Sequence, residues 1–393
     1  MNQTPSFTAY TGHLLNFIQR TAPCGSRRSE QTDSSVELES DQEFNQLALE
    51  LFQLQFQEVE PFRLYCHKRA ATPANIAHWT MIPSVPASAF KEFELTSLAT
   101  SARTQVFHSS GTTDQRPSRH FHDAESLRVY EASLKPWFAA HLLEDPTETL
   151  QMIFLTPPPE RVSHSSLVHM LEVVGTAFGA PASYFAGSLG ADHSWMLDGS
   201  RVFASLHDAT LAGRPVMLLG TAFSFVHLLD EFAAQNLRLT LPAGSRVMET
   251  GGYKGRSRQL PKTELHALIR NQLGIPESHI ICEYGMSELS SQAYAGRIQE
   301  RPLETGNVTP VPTSIDEATF SFPPWVRTLV VSPETDRPVA VGEQGLVRIF
   351  DLANVRSILA IQTEDRAVLR KRGFELLGRS SLSEPRGCSL MAS

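Results

Sequence analysis

Apolar residues recur every three to four positions at Phe44, Leu47, Leu51, Leu54 and Phe56, a period that predicts a helix over Phe44–Gln57. Asp41, three residues earlier, is the expected N-cap. A shorter helix is expected over Tyr10–Ile18. Residues 25–41 (GSRRSEQTDSSVELESD) carry almost no large apolar side chain and read as a polar connector. Residues 72–88, with Pro73, Pro83 and Pro86, predict an irregular segment laid over a domain surface. From about residue 100 short apolar runs alternate with helical periods. The expected strands are Gln105–His108, Gln151–Leu155, Pro215–Leu219, Arg246–Glu249 and Ile280–Tyr284. The expected helices are Ala124–His141, Ser165–Ala177, Phe223–Gln235 and Lys262–Leu273. Thr328–Val331, Gly345–Phe350 and Ser357–Ile361 read as strands of a more antiparallel region. No internal repeat is visible.

This alternation predicts an α/β protein with mixed or parallel sheets flanked by helices, and a smaller antiparallel β region near the C-terminus. The expected organisation is a short helix in 1–24, the connector 25–41, and one large unit over 42–393. Composition narrows the function. The 34 Lys and Arg against 42 Asp and Glu give a net charge of −8, which argues against nucleic acid and against a polybasic membrane anchor. No apolar run is long enough to span a membrane, and the N-terminus lacks the pattern of a secretory signal. Cys24, Cys66, Cys282 and Cys388 are dispersed, with no CxxC pair. Four such thiols suit a reducing cytoplasm, and a cytoplasmic enzyme is expected.

Four constellations could carry chemistry. Val106–Thr113 runs from a strand into Ser109, Ser110, Gly111, Thr112 and Thr113, whose N–H and hydroxyl groups could face an anion. An ordinary Ser/Thr turn fits equally. Neither a Walker loop nor a GxGxxG fingerprint is present. Glu249–Arg256 places Gly251 and Gly252 after a strand, where bare backbone can approach a flat ligand; a plain turn is the alternative. Ile280–Glu288 ends a strand in Tyr284, Gly285, Ser287 and Glu288, the end at which open α/β sheets bind ligands. There Tyr284 could stack on a base, Ser287 could bond a phosphate or cap a helix, and Glu288 could hold Mg²⁺. Thr363–Asp365 followed by Gly373–Arg379 offers a carboxylate and a guanidinium for ribose or phosphate, or a hairpin with exposed charges.

The order SSGTT, GG, YGMSE, TED and GR resembles the adenylate-forming superfamily. The stretches SSGTTDQRPSRH, METGGYKGR, EYGMSE and GFELLGRSSLSEPRGCSL, with FNQLALELFQLQFQ and IPSVPASAFKEFELTS, resemble the LuxE-type acyl-protein synthetases over roughly residues 42–393. The resemblance implies ATP and Mg²⁺ as cofactors and two steps. A fatty carboxylate attacks the α-phosphate to give acyl-adenylate and pyrophosphate. A cysteine near the C-terminus then takes the acyl group as a thioester and hands it to an acyl reductase or an acyl carrier. By the resemblance, Ser109, Ser110, Gly111, Thr112 and Thr113 match the phosphate loop, and Gly251 and Gly252 the adenine side. Tyr284 matches the stacking aromatic, Ser287 the residue at the AMP phosphate, and Glu288 the Mg²⁺ ligand. Asp365 matches the ribose carboxylate, Arg379 the hinge Arg, and Cys388 the acyl-accepting thiol.

Two departures stand out. Asp114 replaces the last glycine of the usual phosphate loop. Only 14 residues (393 − 379) follow Arg379, a hinge-like tail 379–393, so the C-terminal Lys domain of CoA-using relatives is expected to be absent. Arg119, Lys254 and Arg256 are then the candidate cations for the α-phosphate. Arg386, two residues from Cys388, favours its thiolate. His120 and His122 form an HxH read as structural or substrate-contacting rather than metal-binding. Phe223–His227 is read as either acyl-pocket lining or core. Cys282 is read as a buried, inert thiol. The leading expectation is an ATP-dependent acyl-protein synthetase. The alternatives are a carboxylate-CoA ligase and a noncatalytic nucleotide- or acyl-binding subunit of a reductase complex.

Overall fold

A computed structural model describes residues 6–23, 34–109, 116–145, 147–191, 194–251, 260–296 and 319–379, with side chains from 39 onward in the second stretch. Its helices are α1 (Phe7–Thr21), α2 (Ser34–Glu58), α3 (Glu60–Lys68), α4 (Ala89–Glu92), α5 (Ala124–Leu142), α6 (Ser166–Phe178), α7 (Gly199–Leu211), α8 (Ala222–Ala234) and α9 (Lys262–Leu273). Its first strands are β1 (Val85–Pro86), β2 (Gln105–His108), β3 (Arg119–His122), β4 (Gln151–Phe154), β5 (Tyr184–Phe185), β6 (Gly187–Leu189), β7 (Trp195–Leu197) and β8 (Val216–Thr221). They continue as β9 (Arg246–Thr250), β10 (Ile280–Tyr284), β11 (Ala293–Ala295), β12 (Thr319–Ser321), β13 (Val326–Val331), β14 (Gln344–Asp351), β15 (Ala360–Arg370) and β16 (Gly373–Arg379).

One mixed sheet organises the chain. Along β5-β4-β8-β9-β10 every neighbour is parallel. Parallel neighbours need a crossover, which α8 and α9 supply between β8, β9 and β10. The sheet then turns antiparallel through β11, β12, β16, β15, β14 and β13, with β1 added parallel to β15. The antiparallel region is thus a continuation of the parallel sheet, not a separate layer. β2–β3 and β6–β7 are small hairpins of their own.

The parallel strands are buried on both faces, which is why they read as unbroken apolar runs. Val216 and Leu218 of β8 point into a core with Val202 and Leu206 of α7, Phe225 and Leu229 of α8, and Ile269 of α9. Met217 and Leu219 point the other way, into a core with Phe138 of α5, Leu171 of α6 and the antiparallel strands.

Several boundaries differ from expectation. α2 begins at Ser34, ahead of the predicted Asp41 N-cap, so residues 34–41 of the expected connector are helical. Apolar periodicity marks only part of this helix; the extension SVELESD has few apolar residues and continues on helix-favouring Glu and Leu. Asp41 instead pairs with Arg327 at 2.7 Å. α1 is docked rather than detached: Tyr10 is fully buried, and its hydroxyl donates to the Leu352 carbonyl at 3.0 Å. The strand expected at Ser357 starts at Ala360, because the Ser357 N–H closes a turn on the Asn354 carbonyl at 3.3 Å. Helices α3 and α7 had no counterpart in the sequence reading.

Candidate active site

The carboxyl ends of β9 and β10 meet the β2–β3 hairpin and the β15–β16 pair. Tyr284 closes β10, and its hydroxyl donates to Asp365 Oδ2 at 2.9 Å. Asp365 lies directly opposite Arg379 in the β15–β16 register, and Arg379 Nε donates to its Oδ1 at 3.2 Å. A tyrosine, a carboxylate and a guanidinium separated by 81 and 14 residues are therefore one bonded group. Burial and the Asp365 carboxylate push the Tyr284 hydroxyl well above its ordinary range, so it remains a donor. Phe320, Phe322 and Phe374 surround the Tyr284 ring edge-on, with centroids 5.7–6.1 Å away. Lys262, at the start of α9, lies 5.6 Å from the Phe320 ring and adds a cation nearby.

After Tyr284 the chain turns at Gly285. A Cβ there would stand 2.5 Å from Glu283 Oε1, so a larger residue would have to push that carboxylate aside. Ser287 is buried, and its hydroxyl donates to the His108 carbonyl at 3.0 Å. The Ser287 carbonyl accepts from His120 Nδ1 at 2.9 Å, which requires the Nδ1–H tautomer. The loop that carries Ser287 and Glu288 is thus tied at two points to the hairpin that leads into Ser109. Beneath it, the Asn354 side chain donates to the Glu288 carbonyl at 3.0 Å. Asp351 accepts from the Ser290 N–H at 3.0 Å and the Ser291 hydroxyl at 2.9 Å. Glu288 itself is 1% exposed.

The other described candidates are partly engaged. The Ser109 hydroxyl accepts from the Ser118 N–H at 2.8 Å and so closes its own hairpin. Gly251 follows β9 with open space where a Cβ would stand, leaving room over the backbone. Arg119 donates to Glu94 at 3.0 Å, an ion pair shared with Arg103. Ser110, Gly111, Thr112, Thr113, Asp114, Gly252, Lys254, Arg256, Cys24 and Cys388 lie outside the described residues.

Residues 30–393 match the family described as acyl-protein synthetase, LuxE. The chain belongs to the LuxE acyl-protein synthetase family. It is 21% identical over 360 residues to a long-chain-fatty-acid–luciferin-component ligase from Aliivibrio fischeri, spanning 88% of this chain and 86% of that protein. Its fold is similar to 2-hydroxyisobutyryl-CoA ligase in the postadenylation state with 2-HIB-AMP, at a TM-score of 0.63 and 13% identity over 87% of this chain and 68% of that one. An open conformation of the same ligase gives a TM-score of 0.60 at 12% identity, over 86% and 70% of the two chains. These likenesses establish the adenylate-forming α/β fold. Membership of the LuxE family makes the chain a ligase of the adenylate-forming class, which implies use of ATP and a carboxylic acid. No described helix is long and apolar enough to cross a membrane.

Within this LuxE-family chain, three further groups lie around the site. His120 is one: the HxH reads as structural or substrate-contacting, and its ring holds the Ser287 carbonyl. Burial holds His120 down to about 4, and His122 and His169 are lowered by the same cause. These neutral rings pack on one another and on Phe107, with His120 and His122 4.2 Å apart. Glu283 is the second, pushed up to about 7 by burial and by Glu249. Lys262 is the third; it carried no motif. Of Phe223–His227, Phe225 and Val226 are core, while Phe223, Ser224 and His227 line a shallow cleft with Trp195, Met196 and Leu197.

Proposed function

We propose that the chain activates a fatty or related carboxylic acid with ATP and loads the acyl group onto its own Cys388. The carboxylate oxygen bonds to the α-phosphorus, and the bond to pyrophosphate breaks. The Cys388 thiolate then bonds to the acyl carbon, and AMP leaves with the electron pair of the broken anhydride bond. The thioester passes to an acyl reductase or an acyl carrier. The observation that supports this reading is the Tyr284–Asp365–Arg379 group at the carboxyl end of β10 in a LuxE-family chain. Asp365 would accept from the ribose hydroxyls while Arg379 and Tyr284 hold its carboxylate in place. Ser287, held at both its hydroxyl and its carbonyl, would meet the AMP phosphate beside the 109–113 loop. Gly251 and Gly252 would lie along the adenine.

Glu288 fits Mg²⁺ by donor chemistry. It is a hard carboxylate oxygen in an enclosed position, and one or two carboxylates plus substrate phosphates are what this ion takes. When bound, the ion would offset phosphate charge.

The test is labelling with radioactive fatty acid and ATP, alongside ATP–pyrophosphate exchange. The wild-type chain should exchange label and become acylated through a hydroxylamine-sensitive bond. Exchange without acylation of the chain, but with an acyl-CoA product, would favour a carboxylate-CoA ligase. Neither exchange nor acylation with any of a panel of acids would favour a noncatalytic subunit.

A further inference from the structure

Beneath the two strand ends lies a polar trio that the adenylation chemistry does not use. Glu249 of β9 and Cys282 of β10 are direct partners in the strand register. Cys282 Sγ donates to Glu249 Oε1 at 2.7 Å. His266 of α9 completes the trio, with Nε2 3.5 Å from Glu249 Oε1 and 3.6 Å from Cys282 Sγ. Glu249 and His266 are 5% exposed and Cys282 is 3% exposed. Cys282 is therefore buried as expected, but not in plain apolar surroundings. Among the described residues, this is the one group of three His, Cys, Asp or Glu side chains whose donor atoms converge within 4.8 Å.

The spacing matches a known polyhedron. Zinc bonds of about 2.3 Å to sulfur and about 2.0–2.2 Å to nitrogen and oxygen, at tetrahedral angles, put sulfur and nitrogen about 3.6 Å apart and nitrogen and oxygen about 3.4 Å apart. Two edges of the trio already have these lengths. The third is shorter because the thiol proton lies on it as a hydrogen bond. Replacing that proton by a divalent ion would open the edge to about 3.6 Å, a shift of under an ångström. Thiolate, carboxylate and neutral imidazole would together neutralise the ion, so no net charge would be buried.

We propose that Glu249, His266 and Cys282 form a three-ligand site for a zinc-class divalent ion, with water in the fourth position. On binding, the Cys282 thiol proton goes to solvent and the metal–sulfur bond forms. Glu249 lies two residues before Gly251, and Cys282 two before Tyr284. The ion would clamp the two strand ends that present those residues, independently of the adenylation reading.

The test uses the full chain with Cys24, Cys66 and Cys388 changed to Ser, so that only Cys282 can supply sulfur. Chelator-stripped protein is titrated with Zn²⁺ and with Co²⁺. The expected result is about one ion per chain, a thiolate-to-cobalt charge-transfer band and a raised melting temperature. Further substitution of Cys282→Ser should abolish the band, and His266→Gln should weaken binding roughly tenfold or more. A stripped protein that takes up under about 0.1 ion per chain, or cobalt bound without the thiolate band, would overturn the site. So would a band that survives Cys282→Ser. Should either variant fail to fold, the spectrum of the Cys282-only protein decides alone.

Discussion

Replacing Glu283 by Gln isolates the electrostatic cost of the strand that carries Tyr284. Glu283 is 6% exposed, and burial, with Glu249 close by, raises it from the ordinary 4.5 to about 7. A carboxyl raised on folding holds its proton in the native state over a range where the unfolded chain has released it. Stability from this group is therefore complete below pH 4.5 and is lost as pH rises through about 7. Integrated, the penalty is about 0.8 kcal/mol at pH 5 and about 3 kcal/mol at pH 8. Gln has the same shape, keeps an acceptor for the Thr250 hydroxyl and never ionises. Urea unfolding of both proteins should show the stability difference moving in the variant's favour by about 2.5 kcal/mol from pH 5 to pH 8. The neutral histidines His120, His122 and His169 titrate in both proteins and drop out of the difference. A difference that stays constant over this range would refute a buried, proton-holding Glu283.

Glu288→Gln should lower pyrophosphate exchange by two or more orders of magnitude while the melting temperature stays near wild type; normal exchange in the folded variant would remove Glu288 from the reaction. Asp365→Ala should weaken ATP binding by roughly 10- to 100-fold, the worth of one charge-assisted contact of about 1.5–3 kcal/mol. Calorimetric titration with unchanged affinity would take it out of the nucleotide site. Cys388→Ser should retain exchange and lose hydroxylamine-sensitive labelling, because a hydroxyl ionises far less than a thiol. Full labelling of that variant would move the acceptor elsewhere.

The elements that could be read in the sequence are those whose burial writes a local pattern. β10 is Ile280–Tyr284 and α9 is Lys262–Leu273, as the apolar run and the helical period predict. The parallel strands, covered on both faces, leave continuous apolar runs; α5 and α8 leave apolar stripes. α7 escaped the reading although Val202, Leu206 and Ala209 recur at a helical spacing on its buried face, and the first turns of α2 carry few apolar residues to mark a period. The order of motifs indicated the superfamily because each is a short local string. What no string contains is contact. That Tyr284, Asp365 and Arg379 bond to one another follows from β15 and β16 joining the far side of the same sheet as β10. That His120 carries the Ser287 carbonyl follows from a hairpin folding back across 167 residues. In the sequence Glu249 ends a predicted strand, His266 lies inside a predicted helix and Cys282 reads as an inert thiol. Only strand register and the seating of α9 bring their donor atoms together, because parallel pairing links residues that a whole crossover helix separates along the chain.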